Sequence, residues 1–260
     1  MTPLNFGSGA RRLLGLYQGA AAPASRARAV LFCHASGSEF VNSYRAVSFA
    51  AHRFAAAGFS TLRFDYYGTG DSQGDSIDSD LSGWEADIEA AMEELRELAR
   101  VKSVALFGLR LGATLAARVA ARAPAAVSRL ILWDPVVDGA QYVEALSAKT
   151  RLRMSGAKLE RTGASEPAGS RELDGLRVTP FFVSALRAID RYPAPSELLA
   201  RTLVVQTLVD RPARAPPAAP NGATPEGSAH LASFDPAPWV NDPGAALPLN
   251  TLEQIIEWMR

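Results

Sequence analysis

Cysteine, net charge and long apolar runs are all scarce in this chain, and each scarcity removes a class of explanation. A single cysteine, Cys33, leaves no intrachain disulfide and suits a reducing compartment, so a cytoplasmic location is expected. Lys+Arg and Asp+Glu number 27 each, so no global field draws the protein toward nucleic acid. No run approaches the ~18 apolar residues of a membrane helix, and a membrane partner is not expected. No internal repeat is present, and no motif asks for a metal or a cofactor. The stretch "ARRLLGLYQGAAAPASRA" has the Arg pair, short apolar run and small residues of a signal peptide. Gln18 and the interspersed glycines interrupt its centre, and it reads better as a first strand and turn.

What is present is a regular alternation. The 260 residues, 48% of them hydrophobic, suffice for one large core in a single domain spanning 1–260. Strand-like runs at "AVLFC", "STLRFD", "SVALFG", "SRLILWD" and "RTLVVQTLVD" are separated by helical patterns. Those patterns include Val47, Ala50 and Phe54 in one stretch, and Leu81, Trp84, Ile88, Met92 and Leu95 between Asp80 and Ala99. A further helix is expected from Leu111 to Ala121, a weaker strand at "AHLASFD", and a terminal helix at "TLEQIIEWM". Such an order predicts an α/β fold, a mostly parallel central sheet flanked by helices. Between Asp134 and Arg201 the alternation breaks, and a cap insertion is expected at about 140–200. "RPARAPPAAPNGATPEGS" has almost nothing to bury and reads as a flexible loop.

Three places carry a family likeness: "CHASG", "RFDYYGTGDSQGD" and "FGLRLGATLAA". In this order they resemble the α/β-hydrolase superfamily, and with the helix holding Trp84 and Asp87 they resemble its serine-aminopeptidase-like branch. They are also similar to the bacterial hydrolase-like proteins that accompany exosortase systems. The likeness implies a nucleophile elbow, G-x-S-x-G, at Gly108–Gly112, where Arg110 stands at the serine position. It places the acid at Asp210, or alternatively at Asp134. The base should be a histidine after the last strand, but "FDPAPWVNDPG" has Trp239 and no His, while His230 falls at the start of that strand or before it. Ordinary serine-hydrolase chemistry is therefore not expected.

Two readings of Arg110 stand side by side. As a guanidinium at the carboxyl end of the sheet, beside the first N–H groups of the helix starting at Leu111, it suits a carboxylate or phosphate. As a structural residue it would pair with an internal carboxylate and hold the turn. His34 is either a hydrogen-bonded structural imidazole or an acid–base contact near Arg110. Cys33 is expected to be buried and inert. Asp65–Asp75, with three aspartates and three glycines, lacks the spacing of a calcium loop and reads as a structural turn. His52 is explained by helix packing, and Lys149, Arg151, Arg153, Lys158 and Arg161 by a solvated face of the cap, or by steering of an acidic ligand.

The functional expectation is a protein acting on or binding a small acyl or carboxylate-containing compound, anionic by the Arg110 argument. Arg110, His34 and Asp210 would carry the chemistry, with Ser36, Leu111, Asp134 and Trp239 along the ligand. The alternative is an inactive pseudo-hydrolase serving as a binding or scaffold module. A homodimer is left open.

Overall fold

The computed structural model describes residues 1–21, 27–156, 169–193, 195–208, 225–240 and 247–260. Eight strands form one sheet. They are β1 (Thr2–Ser8), β2 (Arg11–Gln18), β3 (Ala29–Cys33), β4 (Ser60–Phe64), β5 (Val104–Leu109), β6 (Val127–Trp133), β9 (Thr202–Thr207) and β10 (Ala229–Ser233). Their order is β1-β2-β4-β3-β5-β6-β9-β10, parallel from β4 onward, with β1 and β2 antiparallel at one edge.

β3 and β5 are buried at every position, as expected for central parallel strands covered on both faces. Side-chain alternation divides them cleanly. Val30 and Phe32 pack with α1 (Gly37–Ala56) and α7 (Leu249–Met259) on one face. Leu31 and Cys33 pack on the other with α2 (Leu81–Ala99) and α3 (Leu111–Arg122). The expected stripe on α2 is buried throughout, and Asp80 caps that helix by accepting from Gly83 N at 2.6 Å.

Between β6 and β9 the chain leaves the sheet. It forms α4 (Gly139–Gly156), a two-stranded ribbon of β7 (Arg171–Leu173) and β8 (Leu176–Val178), α5 (Pro180–Arg187) and α6 (Ser196–Leu199). None of the described helices is long and apolar enough to cross a membrane.

Two elements depart from expectation. β1 precedes the expected first strand, and its apolar pattern is weak because it is an edge strand with only Phe6 buried. α1 begins at Gly37 rather than beyond "ASGSEF", which puts Glu39 in its first turn. The proline-rich loop lies almost wholly outside the described residues.

Candidate functional site

β5 ends in a sharp turn into α3 with Arg110 at its apex, at φ 57° and ψ −122°. This is an uncommon conformation for a side chain other than glycine, costing roughly 1–3 kcal/mol. The surroundings enforce it. Arg110 N donates to Trp133 O at 3.0 Å, continuing the pairing of β5 with β6. Gly108 and Gly112 flank the turn, and an added Cβ would lie 2.3 Å from Ala113 Cα in one case and 2.2 Å from His34 O in the other. The chain can pass that closely only without side chains.

Above the turn lies a cavity of about 1020 Å³ at the carboxyl ends of the parallel strands. His34 and Ser36 reach it from beyond β3, Asp134 from beyond β6, Trp239 from beyond β10, and Tyr142 and Lys149 from α4.

Arg110 is buried, 9% exposed, and its guanidinium has an internal partner. Its Nε donates to Glu39 Oε1 at 3.2 Å and its Nη1 to Asp134 O at 3.1 Å, while Nη2 donates to no described residue. The rings of Tyr142 and Trp239 each lie 5.5 Å from it. Burial works to lower the Arg110 pKa; the Glu39 carboxylate, aided by Tyr142 and Asp134, outweighs it and holds the guanidinium above its ordinary value.

Glu39, 2% exposed, is engaged on both oxygens. Tyr142 Oη donates to Oε2 at 2.8 Å, and Lys149 Nζ lies 3.6 Å from Oε1. Burial, reinforced by Glu39, pushes the Tyr142 phenol well above its ordinary pKa, so it remains a donor. Ser36 Oγ sits 3.4 Å from Tyr142 Oη and closes this network.

His34 also faces the cavity. Its Nδ1 lies 2.7 Å from Ala35 O, which makes Nδ1 the protonated nitrogen and Nε2 the acceptor. Nε2 has no hydrogen-bond partner among the described residues, and the nearest carboxylate, Asp65 Oδ1, is 4.0 Å away. Burial between Phe40 and Tyr66 lowers its pKa, so the ring is neutral. The Tyr66 hydroxyl, also in the cavity wall, likewise has no described partner.

The remaining sequence candidates separate. Asp134 reaches the cavity and accepts from Thr207 N at 3.1 Å, whereas Asp210 lies outside the described residues. Leu111 packs its side chain into the core rather than the cavity, so only its backbone stands at the helix start. Trp239 lies edge-on to Trp133 at 6.0 Å. His230 is on β10 beside Gln206, 3.3 Å away, and is not part of the cavity wall. His52 is exposed on α1. Burial pushes the Cys33 thiol far up, which removes it as a nucleophile at neutral pH.

The Asp65–Asp75 tract is a folded turn in which Asp65 Oδ2 accepts from Asp71 N at 3.0 Å. Among the described residues no cluster of three or more His, Cys, Asp or Glu could hold a metal.

Lys149 and Arg153 stay nearly half exposed, as the expected solvated basic face requires, and each also reaches a buried carboxylate. Lys149 meets Glu39, and Arg153 meets the buried Asp174 at 3.1 Å. Lys158 and Arg161 lie outside the described residues. Asp174 in turn ties the β7–β8 ribbon to α1, its Oδ2 accepting from Ser38 Oγ at 2.7 Å.

Sequence reasoning missed Glu39, Tyr142 and Asp174. For Glu39 a signal existed: Ser36-x-x-Glu39 has the pattern of a capping box and marks a helix start. In the structure Ser36 makes no side-chain cap and Glu39 turns to Arg110 instead.

Fold and site together define an α/β-hydrolase architecture. Residues 24–174, more than half of the chain, match the family described as serine aminopeptidase, S33, and the chain belongs to that family. A comparison with curated proteins found no match. Among solved structures, Est1E from Butyrivibrio proteoclasticus with ferulic acid bound superposes with a TM-score of 0.66 at 16% identity, covering 98% of this chain and 97% of that one. The thioesterase domain from the curacin biosynthetic pathway gives 0.59 at 15% identity, covering 100% and 99%. An alpha-beta serine hydrolase homologue from Coxiella burnetii gives 0.58 at 15%, covering 99% and 95%. At these identities the likeness establishes the fold alone.

Proposed function

We propose that this protein holds a small acyl compound in the cavity above the β5–α3 turn, with Arg110 at the position its family gives to the serine nucleophile. It acts without a Ser-His-Asp triad, a reading supported by Arg110 at the serine position and by the absence of histidine from the sequence after β10. The observation that carries the reading is Arg110 itself, at the strained apex of the turn and in the cavity wall. A permanently charged guanidinium cannot form an acyl-enzyme, but its Nη2, which donates to no described residue, can polarise or hold a carbonyl oxygen. The inserted segment from α4 to α6 acts as a cap that supplies Tyr142 and Lys149. Mass spectrometry of an organic extract of natively purified protein tests this. One small acyl compound in near-stoichiometric amount is expected, and an extract without any acyl compound speaks against it.

The second reading is a scaffold whose turn is only structural. The buried Glu39 opposite Arg110 favours it, because such a pair needs no ligand. On that reading Arg110→Met lowers the melting temperature and changes no ligand response.

A further inference from the structure

The cavity combines a large apolar surface with charges that already answer one another. Three of its lining residues are cationic (Arg110, Lys149, Arg153) and three anionic (Glu39, Asp134, Asp174). Arg110 and Lys149 both converge on Glu39, while Arg153 meets Asp174. An incoming carboxylate would therefore find Arg110 and Lys149 already paired with Glu39 and would stand beside that buried carboxylate. Like charges repel more strongly where one of them is withdrawn from water. An uncharged carbonyl meets no such opposition, because Arg110 Nη2 donates to no described residue and Ser36 Oγ stands nearby in the wall.

We propose that Glu39 is a specificity residue: its carboxylate fills the anion position before Arg110 and Lys149, so the cavity accepts uncharged acyl compounds and rejects free carboxylates. This rests on the ligand-binding reading above, and it replaces the expectation of an anionic ligand. Glu39 is an internal counterion whose removal changes the charge of the ligand the site prefers.

The test is isothermal titration at pH 8 with methyl hexanoate, hexanamide and sodium hexanoate. These share a chain and differ in the charge at the carbonyl. Wild type is expected to bind the ester or the amide at least about tenfold tighter than hexanoate, and Glu39→Gln to improve hexanoate binding by about tenfold or more. Hexanoate binding equal to or tighter than both neutral compounds in wild type overturns the inference while leaving the ligand-binding reading intact. Failure of all three to bind overturns both. Loss of the neutral-over-acid ratio in Tyr142→Phe, with Glu39 unchanged, would assign specificity to the phenol and overturn the role given to Glu39. Should Glu39→Gln fail to fold, the wild-type ratio and the Tyr142→Phe ratio decide.

Discussion

Arg110 and Glu39 stand 71 residues apart in the chain, yet Nε of one lies 3.2 Å from Oε1 of the other. The contact joins the apex of the β5–α3 turn to the first turn of α1. Lys149 also approaches Glu39, so the two members of the pair are not equivalent.

That asymmetry sets a first prediction. Glu39→Gln strips the counterion from a buried guanidinium and a nearby ammonium, which should cost about 3–5 kcal/mol. Arg110→Met leaves Glu39 with Lys149 and Tyr142 and should cost less, while the double variant should cost less than the sum. Urea unfolding of the three variants checks the ranking, and Arg110→Met as the more damaging single change would contradict it.

The turn makes a second. Gly112→Ala would place a Cβ 2.2 Å from His34 O and 2.3 Å from Cys33 O, both main-chain atoms that cannot give way. A loss of about 3 kcal/mol or failure to fold is expected. At Gly19 the nearest atom to an added Cβ is 3.8 Å away, so Gly19→Ala should be near neutral. Equal melting temperatures for both variants would contradict the crowding at the turn.

The central sheet was legible because β3, β5 and β6 are short apolar runs separated by helix-period segments. β1 was not, since Pro3, Asn5 and Gly7 dilute a strand that buries one residue. Arg110 was visible through the glycines on either side of it. Its partner was hidden because an ion pair across 71 residues leaves no local pattern, and a glutamate just beyond a strand reads as loop polarity. Hence the sequence left an anionic ligand and an internal carboxylate side by side as partners for Arg110, and the structure places Glu39 beside the guanidinium.

His34 supplies a third prediction. Its folded pKa is held below the ordinary value of 6.5, so as pH falls through about 6.5 the unfolded chain takes a proton that the folded one refuses. Stability is lost from there downward, by at most about 1.4 kcal/mol per pH unit, until the folded pKa is passed. Asp87 and Asp174, raised by burial, act with the opposite sign and favour the folded state as pH falls toward the ordinary carboxylate range. His34→Phe should flatten the pH 7 to pH 5 part of the profile, measured by urea unfolding. Parallel profiles for wild type and variant would contradict a buried neutral imidazole.

Arg110→Ser restores the elbow pattern but no base. The loop after β10 has no histidine in its sequence, and His230 is outside the cavity wall. A serine without a base gains little nucleophilicity at neutral pH. Turnover of p-nitrophenyl esters by this variant should stay at the background rate. Robust turnover would contradict this and show that a base is present, with His34 in the cavity wall, or His230, as the group to mutate next.

The central claim is that the site works without a serine nucleophile, and covalent labelling tests it most directly. Wild-type protein is incubated with a fluorophosphonate, its intact mass is measured, and any label is mapped to a peptide. The account predicts an unmodified mass, with no burst on p-nitrophenyl acetate. A single stoichiometric adduct on a cavity serine, Ser36 first among them, together with a burst, would contradict it.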